Sequence, residues 1–451
     1  MVKRNSICSG DIIDDWPIRP LQWRIFVICG LVAVFDGFNA QVLAIVAPTL
    51  VTQWKLDTST VTMLFVAGLA GTAVGSCTLG WIADRIGRKP VLSGALLVLG
   101  VATLACITAT TPLQLGIYRF VGGLGLGAAV PNIITLTVDY SPERHRNVIV
   151  NAMMCGFPVG AAAGGAIVGH LLPEYGWKSA FVLGGLAPLV VLPILLIGLP
   201  ESLRFLASSE ADAERLRAVC RMLHVPDNTP LPTFQRLVVR APLRDIFDSR
   251  LRFGTVALII LSIGANIVQY FLISWSPWLL HATGMSATGA VYGAVSLGVG
   301  SALGATLIGR VMDRFGSYRI LCLSYVLCVL TISGISVAIN ESKVAVLLAI
   351  FVAGVFVTGS RFGVNAAATG FFPTQVRATG VSTCYGFSQI GSVLGPLVGG
   401  MLIAMPLDYS SVFRCAAIPA ALNAVVGWML YRRLREQGRY SPSPTIVHSD
   451  H

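Results

Sequence analysis

Two stretches, GWIADRIGRKP at residues 80–90 and GRVMDRFGSYR at residues 309–319, share one pattern: Gly, three residues, Asp-Arg, one residue, Gly, then basic residues. Each sits in a short polar break between long apolar runs, 61–83 and 90–111 for the first, 287–312 and 319–339 for the second. A pattern that returns at the matching place in each half marks an internal repeat of one structural unit. Working outward from these two loops, the apolar runs number twelve, six before and six after a single long polar segment at 200–254.

Each run is about as long as the ~20 residues a helix needs to cross roughly 30 Å of hydrocarbon. Of the 451 residues, 55% are hydrophobic and only 12% charged, against about 25% charged in a soluble domain. A soluble core of this size would not hide so much apolar surface, so the chain reads as an all-α membrane protein with twelve transmembrane helices in two six-helix bundles. The expected organisation is an N-terminal tail at 1–24, a first bundle at 25–199, a linker at 200–254, a second bundle at 255–431 and a C-terminal tail at 432–451. The polar first twenty residues argue against a cleaved leader.

The formal charge of +11 would suggest nucleic acid in a soluble protein, but here 25 of the 32 Lys and Arg residues fall on one face. The other face holds Lys55, Lys178 and Lys343. The positive-inside rule then places both termini in the cytoplasm and removes any need for a nucleic-acid partner. The ten cysteines are scattered, without paired spacing or a nearby His at metal-ligand distance in sequence, so no metal or other cofactor is expected. No phosphate-binding loop or polar catalytic cluster is visible, which points away from an enzyme and toward work driven by a gradient.

In the linker, SSEADAERLRAVCRML has a Ser/Asp start and apolar residues at 213, 216, 219, 220 and 223, one face of a helix expected to lie on the cytoplasmic surface. Gly156, Gly160 and Gly164 in the fifth run, and Gly391, Gly395 and Gly399 in the eleventh, repeat every four residues. That spacing lays a smooth stripe along a helix on which a second backbone can approach closely. Two facing bundles of this kind are transporter architecture. In the repeated loops, Asp84, Arg85, Gly87 and Arg88, and their counterparts Asp313 and Arg314, are expected to gate the conformational change, an Asp at a helix end pairing with Arg and with helix N-termini. Arg377, at the entry to the eleventh run, joins them. The plainer alternative is an ordinary basic loop.

An ionisable side chain inside hydrocarbon costs about 2.5–3.5 kcal/mol on insertion scales and is functional by default. Of the 21 acidic residues only Asp36 lies well inside a run, about 18 Å along the helix from Arg24. It is the expected proton site, with a structural Asp bonded to backbone near Gly37 as the alternative. Arg119 and Arg361 are buried cations in the fourth and tenth runs.

The twelve runs, the repeated loop and PESLRFL at 200–206 resemble the major facilitator superfamily over nearly the whole chain. FDGFNAQVLAIVAPTL (35–50), RFVGGLGLGAAVPNIITLTVDYSPERHR (119–146), YFLISWSPWLL (270–280) and FFPTQVRATGVSTCYGFSQIGSVLGPLVGG (371–400) are similar to its aromatic acid:proton symporters, the carriers of 4-hydroxybenzoate and protocatechuate. The resemblance implies a monomeric, multi-pass inner-membrane symporter that imports a small aromatic carboxylate with protons. A sugar or polyol porter, favoured by PESLRFL, and a receptor that kept the fold but lost coupling are the alternatives.

Arg119 matches the Arg in the family's fourth span, implying a part in coupling to Asp36 or in holding the anion. The chain departs from the family at three positions. The first-span motif Asp-Gly-Phe-Asp ends here in Asn39, and the usual Arg twelve residues after Arg377 is Gln389. Arg361 stands where the family usually has Gln. It lies 11 residues before Phe372, and Gln389 lies 12 after Arg377, so both sit about 16–18 Å deep by helical rise. The expectation is that the substrate-binding cation has moved from the eleventh span to the tenth, leaving one guanidinium for a carboxylate. Asn365, which matches a family position, and Asn39 and Gln389 are expected to bind polar groups of the substrate; Tyr270, Trp275 and Tyr385 are expected to stack on its ring.

Overall fold

The computed structural model describes residues 18–207, 213–223, 243–373 and 376–436, without the side chains of residues 147, 313 and 378. Among the described residues, twelve helices are long and apolar enough to cross a membrane. They are α1 Pro20–Trp54, α2 Thr58–Ile86, α3 Arg88–Thr108, α4 Pro112–Tyr140, α5 Val148–Tyr175, α6 Lys178–Gly198, α7 Arg252–Ala282, α8 Ala287–Met312, α9 Ser317–Ala338, α10 Lys343–Phe371, α11 Thr379–Ala404 and α12 Tyr409–Glu436. In lipid only intrahelical bonding satisfies the backbone, so apolar runs of this length become helices.

Their ends are set by local chemistry. Thr111 accepts from the Gln114 amide with Pro112 in the first turn of α4, and Ser286 and Ser342 cap α8 and α10 in the same way. Outside the spans, Asp57 accepts from the hydroxyls of Ser59 and Thr60, which hold its carboxyl down at about 2. Asp408 accepts from the hydroxyl and backbone N–H of Ser411 before α12, which likewise lowers its pKa.

The chain forms two compact units. The first takes in α1 to Val42, α2 from Ala67, α3, α4, α5 to Ala161, and α6. Its helices meet backbone to backbone. A Cβ added at Gly37 of α1 would overlap the Phe157 carbonyl of α5, and one at Gly160 of α5 would overlap the Val34 carbonyl of α1. The glycine stripe read in the fifth run is therefore the seam on which α1 rests.

The helix Ala213–Met222 also belongs to this unit. Its face of Leu216, Val219 and Cys220, with Leu223, joins Leu21, Ile25, Leu203 and Leu206 in one apolar cluster. The amphipathic face is thus covered by protein, because the ends of α1 and α6 leave apolar side chains there for it to pack on. The flanking linker residues 208–212 and 224–242, and the tails 1–17 and 437–451, lie outside the described residues.

The second unit contains α7 to α12 together with Leu43–Val66 and Ala162–Trp177. It thus differs from a simple division at the linker, because three helix ends from the first half of the chain join it. Small residues and aromatic edges account for this. Gly298 of α8 lies against the backbone of Ala162, Gly400 of α11 against Thr62, and Phe65 meets Trp275 edge-to-face with centroids 5.3 Å apart. Within the unit, Gly391 and Gly395 of α11 lie against the Ile263 and Ile267 carbonyls of α7. The second glycine stripe is again a helix seam.

Candidate functional site

In the first unit, α1 carries Asp36, 2% exposed, directly before the pinned Gly37. One turn on, Asn39 is fully buried, and its amide is used on every side. Its Nδ2 donates to the carbonyls of Phe35 at 3.1 Å and Gly184 at 2.9 Å, and its Oδ1 accepts from Thr103 Oγ1 at 3.2 Å. Asn39 therefore ties α1 to α3 and α6. Arg119 of α4 donates from Nη2 to the main-chain carbonyl of Asn39 at 3.0 Å, while its Nε has no hydrogen-bond partner among the described residues. The structure thus gathers Asp36, Asn39 and Arg119 in one unit, with the guanidinium held by a neutral acceptor.

The second unit holds a cavity of about 240 Å³. Three helices each turn a polar pair toward it: Ser262 and Asn266 of α7, Arg361 and Asn365 of α10, Tyr385 and Ser388 of α11. Spacings of three and four residues put each pair on one helix face. Ala265 and Val364 supply an apolar wall. Arg361 is half-buried and has no hydrogen-bonding or ionic partner among the described residues. An arginine has five donors and no acceptor, so this cavity presents an unneutralised, planar cation suited to a carboxylate.

Of the predicted binding residues, Arg361, Asn365 and Tyr385 come together here. Gln389 is buried on α11 beside Ser388, where its Oε1 accepts from Ser392 Oγ at 3.3 Å. Trp275 is fully buried away from the cavity wall. Its indole N–H donates to the Pro396 carbonyl at 3.0 Å, and its ring packs between Phe65 and Trp278. Tyr270 lies on α7 with its Cβ 3.1 Å from where a Cβ on Gly395 would stand. Ser262 and Ser388 were not among the predicted site residues.

The repeated loops show a different local solution in each unit. In the first, Asp84 and Arg88 pair at 2.5 Å, and Arg88 Nη1 donates to Asn132 Oδ1 at 3.2 Å. Gly87 adopts φ 104, and a side chain there would strike the carboxylate of Glu201. That carboxylate, from the PESLRFL segment, accepts from the backbone N–H groups of Arg88 at 2.7 Å and Lys89 at 3.2 Å, capping α3. Arg85 stacks on Trp81, 3.6 Å from its ring centroid. Asp139 accepts from Ser202 and pairs with Arg204 at 3.0 Å. Sequence reasoning had singled out the loop but neither Glu201 nor Asp139. In the second unit Gly316 adopts φ 93, Arg314 lies over the Phe315 ring, and Arg377 Nε donates to the Phe372 carbonyl at 3.2 Å. The side chain of Asp313 lies outside the described residues.

Comparison with known proteins agrees with this architecture. A sequence profile described as Major Facilitator Superfamily matches residues 29–337 and 293–446. A gallate transporter of Pseudomonas putida is 36% identical over 424 residues, covering 92% of this chain and 93% of that one. A 4-hydroxybenzoate transporter of the same organism is 33% identical over 425 residues, covering 93% and 95%. A 3-(3-hydroxy-phenyl)propionate transporter of Escherichia coli is 31% identical over 415 residues, covering 92% and 94%. Among solved structures, the partially occluded inward-open xylose transporter of E. coli superposes with a TM-score of 0.73 at 16% identity, covering 91% of this chain and 98% of that one. The relatives are transporters, not enzymes. The chain is a multi-pass transporter of the inner membrane and belongs to the major facilitator superfamily.

Proposed function

We propose that the chain is a proton-coupled symporter that imports a small aromatic carboxylate by alternating access. The observation that carries this reading is the unpaired guanidinium of Arg361 in a polar cavity lined by three membrane-spanning helices. A half-buried cation without a counter-charge in such a helix is costly unless an anion visits it. The relatives named for gallate and for 4-hydroxybenzoate support a ring-bearing acid as that anion.

Asp36 is the proton carrier in this proposal. Loading a proton on the acidic side removes its charge before the helix is reoriented, and release inside resets the cycle. Arg119, held only by a main-chain carbonyl, is placed to respond to that change of charge. The loops around Asp84 and Arg88, and around Arg314 and Arg377, would make and break during the exchange of states. The basic-residue bias supports cytoplasmic termini and a cytoplasmic location for those loops.

Uptake into proteoliposomes tests the reading. With an acidic exterior, labelled benzoates accumulate and labelled hexoses do not. Arg361→Ala abolishes uptake and anion binding, and Asp36→Asn keeps exchange down a gradient but loses uphill accumulation. Uptake and affinity unchanged in Arg361→Ala would remove that residue from the site, and uphill accumulation in Asp36→Asn would remove proton coupling from Asp36.

A further inference from the structure

The cavity of the second unit contains one polar atom whose needs differ from those of its neighbours. Asn266 is 1% exposed and lines the cavity beside Arg361. Its Nδ2 donates to the Ser388 carbonyl at 2.7 Å, and its Oδ1 is buried with no hydrogen-bond partner. The amide orientation is set by that carbonyl, since a flipped amide would bring two oxygens together. Asn266 therefore lines the cavity with its amide orientation fixed and its acceptor unused.

The serine hydroxyls of the lining do not supply the missing donor. Ser262 Oγ donates to the Leu258 carbonyl at 2.7 Å and Ser388 Oγ to the Tyr385 carbonyl at 2.7 Å. A hydroxyl has a single proton to give. Asn365 carries both a donor and an acceptor and so imposes no sense on a ligand. The cavity thus combines a cation that only donates, Arg361, with a buried acceptor that lacks a donor, Asn266.

We infer that Asn266 is a specificity-determining residue: its side-chain carbonyl accepts a hydrogen bond from a hydroxyl on the substrate's ring while Arg361 holds the carboxylate. The inference rests on the aromatic-acid reading above and deepens it. Phenolic acids satisfy both groups; a ring without a hydroxyl leaves the acceptor unmade, and a ring ether presents an acceptor to an acceptor. A buried acceptor left without a partner is penalised, which gives a discrimination of about tenfold.

The test is equilibrium binding to the purified full-length protein of benzoate, 3-hydroxybenzoate, 4-hydroxybenzoate and 4-methoxybenzoate. At least one of the two hydroxylated acids binds about tenfold more tightly than benzoate, and 4-methoxybenzoate binds no better than benzoate. In Asn266→Leu the ratio of hydroxylated-acid to benzoate affinity collapses to within about twofold. A purely structural role would weaken all four probes by one factor and keep their ratio, which overturns the inference. So does a wild-type protein that binds benzoate as well as both hydroxylated acids, a result that needs no variant to fold. Binding of none of the four acids would sink the aromatic-acid reading and this inference with it, and is distinguishable from loss of discrimination alone.

Discussion

Asn39 and Arg361 stand at two of the three places where this chain departs from the pattern its sequence resembles, and their surroundings differ. Asn39 has both amide hydrogens and its carbonyl engaged across three helices. An Asp at that position would have no proton to give the Gly184 carbonyl when ionised, so the neutral amide suits the packing. Asn39→Asp is expected to destabilise the protein by about 1–3 kcal/mol, the cost of a buried group left unsatisfied, read as a lower thermal midpoint in detergent. Arg361 has nothing engaged, and its loss is expected to appear in substrate affinity with little change in midpoint. Both substitutions were legible in the sequence as departures. Which one is held by its neighbours and which is open was not, because Gly184 and Thr103 lie 145 and 64 residues from Asn39.

At the scale of elements, the helices are joined along seams of glycine, and the seams are selective. Gly37→Ala places a methyl into the Phe157 carbonyl, whereas a Cβ at Gly94 of α3 meets nothing within 4 Å. Overpacking costs about 1–3 kcal/mol, and replacing Gly in an exposed helix returns roughly 0.5–1 kcal/mol. Thermal unfolding of the two variants should therefore move in opposite directions, Gly37→Ala downward and Gly94→Ala upward. The capping of α3 by Glu201 makes a second prediction. Glu201→Ala removes the acceptor for the Arg88 and Lys89 amides and should cost about 0.5–2 kcal/mol, visible as faster hydrogen exchange at the start of α3. The four-residue glycine spacing announced the seams in advance. The partner helix of each seam was not announced, since a smooth stripe does not name what rests on it.

For the molecule as a whole, proton linkage separates the acids near the ends of the spans from the one within. Hydroxyl donors depress the carboxyls of Asp57 and Asp408, the former to about 2. Their contribution to stability is fully present above the ordinary carboxylate range near ~3.9 and is lost only as the pH falls through the lowered folded values. Both stay ionised between pH 5 and 8. Any pH dependence of uptake in that interval must arise elsewhere, and the proposed mechanism assigns it to Asp36. Uptake measured across external pH is expected to keep its profile in Asp57→Asn and to become flat in Asp36→Asn. A flat profile in Asp57→Asn would move the coupling site out of the span.

Helical class, the number of membrane crossings, the internal repeat and the short roster of intramembrane charges were determined by the sequence alone. They depend on properties that add up locally: apolar length against bilayer thickness, the cost of a charge in hydrocarbon, and spacing along one helix. Tertiary structure decided what local sums do not contain. It placed Leu43–Val66 and Ala162–Trp177 with the second unit, buried Trp275 in a helix seam, tied up Asn39, and left Arg361 and the side-chain carbonyl of Asn266 without partners among the described residues. Whether a polar atom is free or taken depends on which carbonyl a distant helix brings beside it, and only the folded chain makes that choice.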